Sequence, residues 1–258
     1  MKNRLANNLS PALAALSVAI FVWWLLVVTF DIKPYLLPSP WSVMAAGLDA
    51  REELTMAVWL TARAAVSGLI LSILVGSVIA IVFSQSRWIR VGCFPYAVLL
   101  QTVPIVAIAP LMLFWSGPGL RSVILISFMV SLFPIITNVT AGLTAIDPGF
   151  SALFKLNQAN RLQRICKLQI PHAIPHLVTG MRTSAGLAVI GAIVGEYFAG
   201  VSTVKHGLGF MVAQKITSMQ TDVGFAAVVM SVLLGAFLFL AVGLLRSTVL
   251  TKWCDSRH

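Results

Sequence analysis

Acidic residues are scarce in this chain: 8 Asp and Glu among 258 residues, against 18 Lys and Arg. Charged residues of both signs make up 10% of the sequence, where a soluble domain carries about a quarter. Hydrophobic residues make up 59%, and the mean hydropathy is +0.93. No soluble core of this length can absorb so much apolar surface, which leaves the bilayer as the natural solvent. The three cysteines, Cys93, Cys166 and Cys254, are far apart and show no metal or redox spacing. They read as small apolar fillers or reduced thiols. Nucleotide chemistry lacks its signature too, because "GPGLRS" has neither the P-loop spacing nor its Lys-Ser/Thr end. There is no H-E-x-x-H, and no Ser/His/Asp set with a local signature. His172 and His176, four apart around Pro175, read as loop histidines, and His206 and His258 have no companions at metal-ligand spacing. These absences argue against catalysis, a cofactor or a metal in this polypeptide. The net charge of +10 would suggest nucleic acid in a soluble protein. Here the basic residues lie in short gaps between apolar runs and act as topology signals.

What is present is a succession of apolar runs: about 12–30, 56–84, 93–116, 121–142, 177–199 and 223–245. Each reaches spanning length. The first is too long for a signal peptide, and no A-x-A-like cleavage site follows it. The expectation is an all-α membrane protein with six transmembrane helices in one domain covering 1–258. It has no long linker and no internal repeat. Six crossings place both termini on one side. That side holds Lys2, Arg4, Arg87, Arg90, Lys155, Arg161, Arg164, Lys167, Arg182, Arg246, Lys252 and Arg257. The other holds Lys33, Arg51, Arg63, Arg121, Lys205 and Lys215, along with most of the acids. The partition of 12 against 6 makes the first side cytoplasmic.

Two runs carry more than hydrophobicity. In "FPYAVLLQTVPIVAIAPLMLFWSGPG", Pro104 and Pro110 each remove a backbone donor in mid-membrane. That is tolerated only where protein or water satisfies the freed carbonyls. Gln101 and Thr102 lie just before the first proline. A kinked pore-lining helix and a kinked packing helix both fit. In "LVTGMRTSAGLAVIGAIVGEYFAG", Gly180, Ser184, Gly191 and Gly195 recur at multiples of about four, and Gly186 adds a further small site. The stripe permits close helix packing, within the chain or against a partner subunit. Glu196 is the only carboxylate well inside a run. Intramembrane acids are usually functional, but its place near the outer end also fits a hydrogen-bonded structural role.

Between the fourth and fifth runs lies a polar segment, 143–176. Asp147-Pro148 followed by Ser151 predicts a helix start. Leu153, Leu156, Leu162, Ile165 and Leu168 recur at helical spacing, with Lys155, Arg161, Arg164 and Lys167 on the other face. The pattern predicts a short, basic amphipathic helix ended by Pro171. It could lie on anionic lipid, cap the bundle, or fill a groove in another protein. Periodicity alone leaves these open.

Taken in order, these stretches resemble the six-helix permease subunits of binding-protein-dependent ABC importers. The resemblance is strongest to the branch that handles nitrate, taurine, alkanesulfonates and pyrimidine or riboflavin-type vitamin precursors. It rests on "LLPSPWSV" (36–43), "QTVPIVAIAPLMLFWSGPG" (101–119), "FPIITNVTAGLTAIDP" (133–148), "IPHAIPHLVTGMRTSAGLAVIGAIVGEYFAG" (170–200) and "GLGFMV" (207–212). Of these, "QTVPIVAIAP" and "GLAVIGAIVGE" are most similar to members for hydroxymethylpyrimidine or riboflavin-like substrates. The family's cytoplasmic loop reads E-A-A, three residues, Gly, nine residues, I-x-L-P. Anchored at Pro171, its end here is Leu168-Gln169-Ile170-Pro171. Gln158 stands at the Gly position, and Ala152-Leu153-Phe154 replaces the E-A-A. A Gln there predicts a straighter helix than the family's turn.

The resemblance implies the transmembrane subunit of an ABC importer in a bacterial inner membrane, with a non-catalytic pathway. It implies two ATPase subunits as partners, a second permease copy and a solute-binding protein, and no nucleic acid. The loop would form a coupling helix. Leu156, Leu162, Ile165, Leu168 and Pro171 would then meet the ATPase groove, flanked by Arg161 and Arg164. Gln101, Thr102, Pro104, Pro110 and Glu196 would line or shape the pathway. A stand-alone ion- or proton-coupled carrier or channel is the alternative.

Overall fold

The computed structural model describes residues 2–199 and 206–254, with the side chains of 11, 14–99, 101–199 and 206–244. Lys205, Arg257 and His258, and the side chains of Lys2, Arg4, Arg246, Lys252 and Cys254, lie outside the described residues. The described chain is helical, in the order α1 (Lys2–Thr29), α2 (Pro40–Asp49), α3 (Arg51–Gln85), α4 (Arg87–Thr102), α5 (Ile105–Ser116), α6 (Leu120–Thr144), α7 (Pro148–Leu156), α8 (Arg161–Arg164), a π-turn (Ile165–Gln169), α9 (Ile170–Ala199), α10 (Leu208–Thr217) and α11 (Thr221–Cys254). Among the described residues, four stretches are long and apolar enough to cross a membrane: Arg51–Gln85, Leu120–Thr144, Arg161–Ala199 and Thr221–Leu244. Ala14–Thr29 and Ile105–Ser116 are shorter apolar helices.

The centre of the molecule is a three-helix contact among α3, α6 and α9, built from small residues. A Cβ at Gly191 of α9 would stand 2.7 Å from the Ser127 Cα of α6, and one at Gly195 would stand 3.0 Å from the Val123 Cα. Further along the same crossing, Gly180 lies against the Pro134 carbonyl and Gly142 of α6 against Ala173 and His176. The two backbones therefore run antiparallel at nearly their closest approach. Hydroxyls lace the same seam. Ser127 Oγ donates to the Ala188 carbonyl at 2.9 Å, and Ser184 Oγ donates to the Ser131 carbonyl at 2.6 Å. On the other face of α6, Gly68 and Gly76 of α3 admit Ser127 and Ile135, and Ser72 Oγ reaches Ser131 Oγ at 2.6 Å. Interhelical hydrogen bonds in membranes contribute about 0.6 kcal/mol each. The larger share of association comes from the dispersion contacts that close approach allows. The predicted small-residue stripe thus meets α6 of the same chain. Gly186 is the exception, with open space where its Cβ would be.

The ends of the bundle differ in character. At one end, Ser39 caps α2 by accepting from Ser42 N, and Pro40 takes the first helical position, where its missing N–H costs nothing. Thr221 Oγ1 donates to the Tyr35 carbonyl at 3.1 Å, and Lys215 pairs with Glu53 at 2.9 Å. At the other end lie the C-terminus of α3 and the α7–α8 segment with its π-turn, where Gln85 Nε2 donates to Gln169 Oε1 at 3.3 Å. Glycine supplies the left-handed corner between α5 and α6, with φ of 77° at Gly117 and 125° at Gly119.

Several expectations are corrected. The predicted run 93–116 is two helices. Val103 takes an extended conformation (φ −69°, ψ 126°), as a residue before proline prefers, and Pro104 starts α5. Pro110 lies within α5 without ending it. The predicted single helix over 151–171 is also divided. Asp147 caps α7 through Gly149 N, as expected, but α7 stops at Leu156. Gln158 then adopts φ 51°. The turn is made despite the missing glycine, so the straighter helix does not form. Asn160 and Gln163 form a capping box that starts the next helix. Pro171 does not end it. The π-turn, with Ile170 N bonded to the Ile165 carbonyl, widens the helix just before the proline. This relieves the clash between the ring and the preceding turn. His172 and His176 are consequently helical, 6.1 Å apart between ring centroids, and His176 packs on Gly142.

Replacing Gly191 by Leu should push α6 and α9 apart and cost about 1–3 kcal/mol or more. Gly186→Leu, facing open space, should be neutral. Thermal unfolding of the purified protein in detergent checks this. Equal loss in both variants would contradict the packing described.

Candidate functional site

Three places gather the candidate residues. The first is the break between α4 and α5. A cavity of about 270 Å³ is lined there by Gln101, Val103, Ile105 and Ile108, by Ile126, Met129 and Val130 of α6, and by Leu187 of α9. Gln101 is exposed and supplies the lining's single neutral amide. Thr102, whose hydroxyl bonds back to the Leu99 carbonyl at 2.9 Å, is exposed beside the break. Pro104 makes the break, and its carbonyl accepts from Ala107 N and Ile108 N. Pro110 is exposed further along α5 and outside the lining. Gln101 is therefore brought to the cavity with Pro104 at the adjoining break, and Met129, Val130 and Leu187, residues that the sequence did not single out, join it from α6 and α9.

The second place is Glu196, which stands apart from that cavity and is 7% exposed. Its Oε2 accepts from Thr61 Oγ1 of α3 at 2.9 Å and from Gly209 N at the start of α10 at 3.0 Å. Thr61 Oγ1 itself accepts from Leu208 N at 2.9 Å and also lies 3.0 Å from the Ala57 carbonyl. Two of the unpaired N–H groups that open α10 are thus satisfied from neighbouring helices. A Cβ at Gly207 would overlap the Glu196 carboxyl group, and one at Gly209 would overlap the Ile193 carbonyl. The pair fastens α10 against α3 and α9. Thr61 gives no signal in the sequence, because a threonine in an apolar run ordinarily bonds its own preceding turn.

The third place is the α7–α8 segment. Leu156 and Leu162 are 81% and 73% exposed, whereas Ile165, Leu168 and Pro171 are half-buried. These residues occupy α7, α8, the π-turn and the start of α9, not one helical face. Arg161 is exposed, and Arg164 Nη2 donates to Ser151 Oγ at 3.4 Å, tying α8 back to α7. Two large apolar side chains exposed beside basic residues suit a protein-binding surface.

Four long apolar helices, a broken helix bordering a cavity and an exposed apolar-basic elbow define a polytopic membrane transport subunit. A family profile described as binding-protein-dependent transport system inner membrane component matches residues 68–251. The chain belongs to this family: it is the membrane subunit of an ABC importer for a small solute, and the alternative of a stand-alone carrier is set aside. It is 31% identical over 222 residues to the formylaminopyrimidine transport permease protein ThiX of Halalkalibacterium halodurans, covering 86% of this chain and 87% of that one. It is 29% identical over 242 residues to the riboflavin transport system permease protein RibX of Chloroflexus aurantiacus, covering 91% and 87%. Its fold is similar to that of an inward-facing structure of the MetNI methionine ABC transporter (TM-score 0.65, 18% identity), covering 78% of this chain and 98% of that chain.

Thr61→Val should leave Leu208 N and the Glu196 carboxyl short of partners, at about 1–3 kcal/mol. Adding Glu196→Ala should cost less than the sum of the single changes, since the two act as one unit. Thermal unfolding of the three variants checks this, and strict additivity would contradict the network.

Proposed function

We propose that the chain crosses the bacterial inner membrane six times as one domain, with α1 and the broken α4–α5 pair supplying the two crossings beyond the four long helices. Both termini and the α7–α8 elbow face the cytoplasm. The basic residues support this orientation, because Arg87, Arg90, Lys155, Arg161, Arg164 and Lys167 follow helices that end on the elbow's side. Two such subunits enclose the pathway. A solute-binding protein delivers substrate at the opposite end, and two ATPase subunits engage the elbow. The chain supplies no catalytic group, and hydrolysis belongs to the partner.

The observation that carries this reading is the elbow. Its turn at Gln158 and the capping box at Asn160 leave Leu156 and Leu162 exposed. Burying each in a partner groove contributes about 1.5–3 kcal/mol. That is enough for the elbow to follow a moving partner, provided the contacts differ between the two conformations. Among the substrates suggested by family resemblance, the vitamin-precursor class fits better than the anions. The relatives named above handle a pyrimidine and a flavin, and the cavity lining carries no cation.

Leu162→Glu and Ile165→Glu should abolish co-purification with the cognate ATPase while leaving membrane insertion unchanged. Retention of both ATPase association and uptake would overturn the elbow's assignment.

A further inference from the structure

We propose that Arg182 and the groove it occupies between α9 and α11 bind the phosphodiester headgroup of an anionic phospholipid from the inner leaflet. The proposal rests on the membrane orientation given above and adds a lipid partner to it.

Arg182 is a cation without a counter-ion inside the spanning stretch Arg161–Ala199. Among the described residues it makes no hydrogen bond and no ion pair, and its Nε is buried without a partner. Its guanidinium carbon lies 4.1 Å from the centroid of the Phe239 ring on α11. A ring face attracts the charge but accepts none of the in-plane N–H bonds. One turn further along α11, a Cβ at Gly243 would stand 3.6 Å from Arg182 Nε. A larger side chain there would compete with the guanidinium for the groove. The intramembrane acid of this helix, Glu196, is engaged by Thr61 and Gly209 and offers Arg182 no partner. An intramembrane cation left unpaired is costly, and it marks a site whose partner comes from outside the chain.

Depth selects that partner. Glu196 lies near the outer end of α9, and Arg182 lies 14 positions closer to the cytoplasm, about 21 Å along the axis. The hydrocarbon core is roughly 30 Å thick, so about 9 Å separates the Arg182 backbone from the inner headgroups. Helical side chains slant toward the N-terminus, which for α9 is the cytoplasmic end, and an arginine stem spans most of that gap. Gly243 follows Phe239 toward the same end of α11, as this slant requires.

The chemistry at that level is set by the guanidinium fork, whose paired N–H donors fit a phosphodiester. Charge then favours an anionic headgroup. Position 246 of α11, an arginine, follows Phe239 by seven residues and falls on the same side of the helix. The ammonium of a zwitterionic headgroup would meet two cationic positions there. Leu240 and Leu244 leave α11 apolar and exposed beside the groove, as acyl chains require.

The test is native mass spectrometry of the full-length chain, delipidated in detergent, without ATP. It is titrated with phosphatidylglycerol, phosphatidylethanolamine or glycerol phosphate. Phosphatidylglycerol should bind as one tight adduct per chain, and phosphatidylethanolamine at least fivefold more weakly. Arg182→Gln and Gly243→Leu should each weaken the phosphatidylglycerol adduct at least fivefold. Arg182→Lys, which keeps the charge without the fork, should lose less than Arg182→Gln. Arg87→Gln, at another cytoplasmic helix end, should change nothing. Gel filtration and circular dichroism confirm that the variants are folded, and if Arg182→Gln is not, Gly243→Leu decides alone. The proposal is overturned if the two lipids bind equally or if the adduct survives Arg182→Gln or Gly243→Leu. It is also overturned if glycerol phosphate competes at the lipid's own concentration, which would make this a soluble-anion site. Orientation is read separately, from labelling of the exposed Cys166 by an impermeant maleimide in inside-out vesicles of a Cys93→Ser, Cys254→Ser chain. Failure of the lipid site therefore leaves both the orientation and the importer assignment standing.

Discussion

Everything else in this molecule hangs on how closely α6 and α9 can approach. Their backbones meet along a seam where Gly180, Gly191 and Gly195 remove the side chains that would hold them apart. Lipid tails are as apolar as leucine, so no hydrophobic force sorts helices from one another inside a bilayer. Contact area and shape must do so. The glycines and serines of this seam fix α6, and α6 in turn receives α3 at Gly68 and Gly76. The three-helix unit is therefore the rigid reference for every other part.

Each functional feature is an attachment to that unit. The broken α4–α5 pair leans on α6, leaving the cavity between Gln101, Ile126 and Leu187. Helix α10 is fastened by Thr61 of α3 and Glu196 of α9. The elbow grows from the ends of α6 and α9, which also contribute to the cavity lining. A rigid core with an exposed lever at one end and a fastened helix at the other is suited to alternating access.

Much of this was legible in the sequence, and the failures have physical causes. The long runs announced themselves because spanning length and hydropathy are local properties. The glycine stripe announced a close contact, but not that α6 was its partner, since partner choice depends on complementary positions some 60 residues away. Pro104 signalled a disturbance. Whether it kinks or breaks a helix depends on whether the freed backbone groups find new partners, which one segment cannot reveal. Glu196 stood out as an intramembrane acid, whereas Thr61, 135 positions earlier, did not. The turn at Gln158 escapes sequence reasoning because the lack of a glycine does not exclude a turn. A single left-handed residue costs about 1–2 kcal/mol, and the Asn160–Gln163 capping box supports the helix that follows it. That Asn-x-x-Gln pattern was present in the sequence and could have been recognised.

The central claim is that this chain moves solute only when driven by an ATPase at its elbow. The most direct measurement is uptake of radiolabelled substrate into proteoliposomes that hold the chain with its ATPase and binding protein. ATP is supplied or withheld, and a protonophore is added or omitted. The account predicts uptake that requires ATP and is indifferent to the protonophore. Uptake by the chain alone, without ATP and abolished by the protonophore, would contradict it.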